Sequence, residues 1–153
     1  MEFVAANFPD VVIVASAGND GTAQEMYPAA FEQVVGVGAL TADHRPAGFS
    51  SFGPWVTCSC VGAGVVSTFV KGVLPPQAIE GRDDVKFDLG AFAVWSGTSF
   101  SAPQVSGAVA RLSQMNGQTP REALADLLAH HRTVPNYGVI LDELLPGTPA
   151  AIS

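Results

Sequence analysis

The chain has 153 residues, enough for one ordinary domain and too few for two. Hydrophobic residues make up 48% and charged residues only 14%, which excludes a disordered or coiled-coil chain. Net charge is −7, and Glu2, Asp10, Asp20, Glu25, Glu32 and Asp43 all precede the first basic residue, Arg45. The sequence therefore offers no basic patch for a phosphate backbone, which argues against nucleic acid as a partner.

Glu2 to Phe8 reads as the end of a helix, stopped by Pro9-Asp10. Val11 to Ala15 is a short β-branched apolar run, the pattern of a central parallel strand buried on both faces. It continues into Ala15-Ser16-Ala17, which looks like a signal-peptidase site, but acids rather than bases precede it, so no targeting signature is read here. Gly18-Asn19-Asp20-Gly21 is a strong turn cluster. Gln33 to Leu40 and Trp55 to Cys60 read as two further buried strands.

Cys58 and Cys60 point the same way from the third strand and are badly placed to bridge each other, so they are expected to be free and buried. Val65 to Phe69 reads as a short strand, Val70 to Asp88 as a long loop or hairpin insertion, and Phe92 to Ser96 as a return to strand. Trp55 and Trp95 are assigned to the core. From Ser99 to about Met115 the spacing turns helical, with Ala102, Val105, Val109 and Leu112 on one face. Thr119-Pro120-Arg121-Glu122 is a capping box with proline at the first helical position, opening a helix to about His131. Two stretches, Pro46 to Val70 and Leu89 to Ala110, are uncharged, but Pro, Gly and Ser interrupt both, so no membrane span is expected. Buried strands mixed with helices indicate an α/β fold with a mostly parallel sheet.

The segment with chemical content is Gly97-Thr98-Ser99-Phe100-Ser101-Ala102-Pro103-Gln104-Val105-Ser106-Gly107. A strand runs into Gly97 and a helix opens at Ser99, placing a hydroxyl in the positive field of a helix N-terminus beside amides without helical partners. The nucleophile elbow of α/β-hydrolases does not fit, because Ser101 stands where its second glycine belongs. Ser96 and Ser101 are read as structural.

This segment resembles the nucleophile signature of subtilisin-like serine proteases (subtilases, peptidase family S8), with Ser99 in the nucleophile's place. Ala15-Ser16-Ala17-Gly18-Asn19-Asp20-Gly21 is similar to the family segment that carries the oxyanion-hole asparagine, which puts that role on Asn19. Tyr27-Pro28-Ala29-Ala30, Val34-Val35-Gly36-Val37-Gly38-Ala39, Phe49-Ser50-Ser51-Phe52-Gly53 and Tyr137-Gly138-Val139-Ile140-Leu141-Asp142 follow the family in the same order.

The resemblance implies the C-terminal portion of a subtilisin-like three-layer fold. Residues 1–153 would form a single partial catalytic domain, with 70–94 as the insertion. It implies peptide-bond cleavage through an acyl-enzyme, with a peptide or protein as substrate. Ser16, Ala17 and Gly18 would line the pocket for the side chain preceding the cut, and Met26 would stand at its floor and make it shallow. It implies secretion, and calcium by resemblance alone, since no carboxylate loop here demands an ion and no cofactor is expected.

The family orders its triad Asp, His, Ser, yet no histidine precedes Asn19. The missing N-terminal half, with the Asp and His motifs, is therefore an expected partner, and the chain alone is expected to be inactive. Self-association through an exposed sheet edge is a further expectation. His44 reads as part of a polar turn, and His130 and His131 as a helix end. Two other readings stay open: a non-catalytic binding or scaffold module, and a different serine hydrolase whose base is His130 or His131.

Overall fold

A computed structural model describes residues 2–68, 72, 73, 86, 87, 92–129, 131–142 and 144. The strands are β1 (Ile13–Ser16), β2 (Val34–Leu40), β3 (Val56–Val61), β4 (Val65–Thr68), β5 (Gly72–Val73), β6 (Lys86–Phe87), β7 (Phe92–Trp95), β8 (Thr133–Val134) and β9 (Gly138–Leu141). The helices are α1 (Glu2–Asn7), α2 (Thr98–Asn116) and α3 (Pro120–Ala129). The main sheet has the order β1-β2-β3-β9-β8. Its first three pairings are parallel and the β8–β9 pairing is antiparallel. The mostly parallel α/β sheet read from the sequence is thus present.

Alternation along the strands sends one set of side chains to a single face. Val35 and Val37 of β2, Cys58 and Cys60 of β3, and Leu141 of β9 meet Val105 and Val109 of α2, with Ala123 and Leu127 of α3 beyond. Ala102 and Leu112 pack against this cluster, so the helical face read from spacing is the core face. The other side of the sheet is reached by loop backbone and serines: Ala29 O lies beneath Gly36, and Ser50 Oγ accepts from Ala39 N–H at 2.9 Å.

The capping box forms as read. Glu122 Oε2 accepts from Thr119 N–H at 2.8 Å, and Glu122 N–H donates to Thr119 Oγ1 at 3.3 Å.

Both cysteines are free and buried. Burial pushes the Cys58 thiol up and that of Cys60 to about 12. The unfolded chain loses these protons near the ordinary value of 9.0, while the folded chain keeps them. Stability from this source is therefore complete below pH 9.0 and declines as pH climbs toward 12. At pH 8 iodoacetamide should leave both thiols of the folded chain unmodified and alkylate both in denaturant, as counted by mass spectrometry.

Three expectations need correction. First, the strand read as central and buried on both faces begins at Ile13 and lies at the edge of the described sheet, half-buried throughout. Val14 of this strand, with Val11 and Val12 before it, lines an open groove of about 270 Å³ closed by Val109 and Pro120. Second, Trp95 is not in the core but 46% exposed. It sits on β7, which pairs with β4 in a two-stranded ribbon apart from the main sheet. Trp55 is half-buried. Third, the helix read as reaching His131 ends at Ala129. Within the expected insertion, β5 pairs antiparallel with β6, and the remainder of 69–91 lies outside the described residues. Among the described residues no helix is long and apolar enough to cross a membrane.

Candidate active site

Two segments converge at the C-terminal ends of β1 and β3, the end of an open parallel sheet where ligands bind. Beyond β1 the chain turns through Ala17-Gly18-Asn19-Asp20. Ala17 N–H donates to Val37 O at 2.8 Å, which holds the turn to β2 for one more residue. Gly18 has φ 109°, a left-handed value suited to glycine. A Cβ there would also stand 2.9 Å from both Met26 Cγ and Ser51 Oγ. Met26 therefore packs directly against Gly18, while Ser51 N–H donates to Gly18 O at 2.9 Å.

The second segment is the passage from β7 into α2. Gly97 N–H donates to Gly62 O at 2.8 Å, tying the passage to the end of β3. Gly62 permits this approach because a Cβ there would overlap Ser101 Oγ and stand 2.9 Å from Gly97 O. Ser101 is buried, and its hydroxyl donates to Cys60 O at 3.1 Å, a structural role as read. Gly97, not a serine, is the N-cap, and no side chain caps it. The helix opens at Thr98, one residue earlier than the sequence suggests, so Ser99 is its second residue. Pro103 falls in the second turn of the helix, where its absent N–H would have met Ser99 O.

Thr98 joins the two segments. Its N–H donates to Asn19 Oδ1 at 2.8 Å, and its hydroxyl donates to the same oxygen at 3.0 Å. The hydroxyl also accepts from Gly18 N–H at 3.1 Å. With two donors on its oxygen, the Asn19 carboxamide turns its NH₂ the other way. Among the described residues no hydrogen bond uses Asn19 Nδ2 or Ser99 Oγ, and the Ser99 N–H belongs to the first helical turn, which has no helical acceptor. Asn19 and Ser99 are exposed while Gly97 and Thr98 between them are buried. The arrangement can present a side-chain amide and a backbone amide to one anion in a helix N-terminal field.

Sequence reasoning did not single out Thr98 or Gly62. Removing the Thr98 hydroxyl leaves the half-buried Gly18 N–H without its acceptor. Thr98→Val should cost about 1–3 kcal/mol of stability in denaturant unfolding.

The remaining candidates are placed as follows. Ser16 is half-buried in β1, and Ala17 is fully buried, so its side chain points away from any ligand and its backbone alone borders the turn. Met26 is half-buried against Gly18. His131 lies 3.7 Å from Asp142, and His130 lies outside the described residues. His44 has φ 58° in its turn, and its carbonyl accepts from Arg132 Nη2 at 3.1 Å. No group of three His, Cys, Asp or Glu able to hold a metal occurs among the described residues.

A sequence model of the Subtilase family matches residues 3–140. The chain is 34% identical over 134 residues to a thermophilic serine proteinase of Bacillus sp. (strain AK1), covering 84% of this chain and 29% of that protein. It is 32% identical over 123 residues to the subtilisin-like proteinase Mp1 of Magnaporthiopsis poae, covering 80% of this chain and 27% of that one. Among solved structures, a protease from Pseudoalteromonas arctica superposes with TM-score 0.68 at 25% identity, over 87% of this chain and 41% of that chain. The prenylagaramide maturation protease PagA superposes with TM-score 0.64 at 26% identity, over 87% of this chain and 44% of that chain. The chain thus spans under a third of the length of these curated relatives.

Proposed function

The chain belongs to the subtilase family of serine proteases, and on that premise we propose that it supplies the nucleophile and the oxyanion cradle of a peptide-cleaving site. Ser99 is the nucleophile. Its Oγ bonds to the carbonyl carbon of the scissile peptide, and the carbonyl electron pair moves onto oxygen. Asn19 Nδ2 and the Ser99 N–H receive that charge. The Oγ proton goes to a base, which returns it to the leaving nitrogen as the C–N bond breaks. A water molecule repeats the sequence on the acyl-enzyme, frees the acid and restores Ser99.

The single observation that carries this reading is the pair of bonds from Thr98 to Asn19 Oδ1, which leaves the NH₂ as the donor end one residue from Ser99. The base is the part this chain does not bring to Ser99 among its described residues, since His131 faces Asp142 instead. We assign the base and its orienting carboxylate to the remainder of a catalytic domain. That remainder would add its strand at the open edge of β1 and fill the apolar groove beside it. Without it the chain is inactive, and the same edge favours self-association. Residues 1–153 are then one partial catalytic domain. Secretion, implied by the family, belongs to the proposal.

Met26 sets the pocket formed by the Ser16–Gly18 backbone. Because it packs against Gly18, the hollow admits a short side chain before the cut. Met26→Gly should shift preference from alanine toward phenylalanine or leucine at that position by about tenfold or more in kcat/KM, on a series of peptide substrates.

A fluorophosphonate probe tests the whole reading. The chain alone should resist labelling. Joined to the N-terminal portion of one of its relatives, it should be labelled at Ser99. Labelling of the chain alone would instead favour a base within it, with His131 the described candidate. No labelling of the joined protein would favour a binding or scaffold module.

A further inference from the structure

Two segments grip the Asn19 turn. Thr98 holds the end of its side chain. Residues 49–52, in the loop between β2 and β3, hold its backbone through four hydrogen bonds. Gly21 N–H donates to Phe49 O at 2.8 Å, Ser51 N–H to Gly18 O at 2.9 Å and Phe52 N–H to Thr22 O at 3.0 Å. The fourth bond uses a side chain: Asp20 N–H donates to Ser51 Oγ at 3.4 Å. Ser51 thus bonds both neighbours of Asn19, the carbonyl before it and the amide after it.

The gripping segment is anchored at both ends. Ser51 is fully buried, and its carbonyl accepts from Ser50 Oγ at 3.1 Å. Ser50 Oγ accepts in turn from Ala39 N–H of β2 at 2.9 Å. Further along, Gly53 N–H donates to Asn136 O at 2.8 Å, and the Phe52 ring stacks on Tyr137 with centroids 5.7 Å apart. The turn that it holds has less of its own to fix it. Gly18 has φ 109° and no side chain, and Asn19 and Asp20 are exposed. A Cβ on Gly18 would stand 2.9 Å from Ser51 Oγ, so this hydroxyl fills the space directly beside the glycine. Without that oxygen the Asp20 N–H loses its bond to the loop and Gly18 gains room to turn.

We propose that Ser51 is a positioning residue for the oxyanion cradle, acting through Asn19. The proposal rests on the reading of Asn19 as the oxyanion donor. Ser51 holds the backbone on either side of Asn19, and Thr98 holds the far oxygen of its side chain. Between them they fix the direction of Nδ2. A donor stabilises developing charge because it is already in place, and a misplacement of about 1 Å can cost on the order of 10²-fold. Being fully buried, Ser51 meets no substrate itself.

The test is a double-mutant cycle in the chain joined to a relative's N-terminal portion, with kcat expressed per active site titrated to completion by a fluorophosphonate. Ser51→Ala should lower kcat about tenfold with KM within about twofold. In an Asn19→Leu background the same substitution should change kcat by less than about twofold, because the donor it positions is gone. A merely structural serine would change the number of active sites and leave kcat per site alone in both backgrounds. Ser51→Thr keeps the hydroxyl and crowds a buried position with a methyl. It should unfold at lower denaturant than Ser51→Ala yet retain more kcat, so that activity follows the hydroxyl and not the stability.

Equal kcat losses from Ser51→Ala in both backgrounds, or no loss in either, overturn the role of Ser51 and leave Asn19 and Ser99 as read. So does a Ser51→Thr variant with kcat no higher than that of Ser51→Ala. An Asn19→Leu variant with unchanged kcat overturns the oxyanion reading, and the positioning role with it.

Discussion

Ser99→Ala, introduced into the chain joined to a relative's N-terminal portion, is expected to abolish fluorophosphonate labelling and to lower peptide hydrolysis by about 10⁶-fold, the scale known for loss of the nucleophile in a subtilisin. The magnitude follows from the division of labour. With no hydroxyl there is no acyl-enzyme, and what remains is binding and the oxyanion donors acting on attack by water. The same substitution should leave stability within about 0.5 kcal/mol, because the Ser99 side chain is exposed and no hydrogen bond uses its hydroxyl among the described residues. A structural serine would give the opposite pattern, with stability lost and labelling retained at another residue. The two readouts, burst labelling and denaturant unfolding, separate these roles in one variant.

Asn19→Leu is expected to reduce kcat by about 10²–10³ with little change in KM, the loss seen when the equivalent kind of donor is removed from a subtilisin. A donor aimed at developing charge acts on the transition state more than on the bound substrate, which is why kcat carries the loss. Asn19→Asp is the sharper variant. It keeps an oxygen for the Thr98 N–H and hydroxyl, whose distances to Asn19 Oδ1 are 2.8 and 3.0 Å. It replaces the outward NH₂ by a second oxygen that cannot donate and that repels an oxyanion. Its activity should fall at least as far as that of Asn19→Leu, while the turn stays anchored. Recovery of activity in Asn19→Asp would mean that the asparagine only holds the loop.

The strands and helices were legible wherever the signal is local. The apolar run at Val34–Leu40 is fully buried as β2, the 3.6-residue spacing in α2 marks its core face, and Thr119 with Glu122 closes a capping box. Turn chemistry and the family resemblance singled out Ser99 and Asn19, and the fold brings their two segments together through Thr98. What escaped depends on neighbours far away in the chain. Val11 to Ala15 has the composition of a strand covered on both faces, yet burial is a property of what lies beside it, and β1 lies at the edge of the described sheet. Trp95 was assigned to the core because it is large and apolar, but it belongs to a two-stranded ribbon. The short strands β8 and β9 carry too few residues for a period-two pattern to register. Thr98 was invisible as a positioning residue because its partners, Gly18 and Asn19, are about 80 positions away. Gly62 earns its place only against the Ser101 hydroxyl and the Gly97 carbonyl, which no local pattern around it announces.

Crystallography of the joined protein carrying a peptidyl phosphonate gives the most direct check on the cradle. The account requires a covalent bond from Ser99 Oγ to phosphorus, with one phosphonyl oxygen about 2.7–3.1 Å from both Asn19 Nδ2 and the Ser99 nitrogen. An adduct on a different side chain, or an oxygen turned away from that carboxamide and amide, would contradict it.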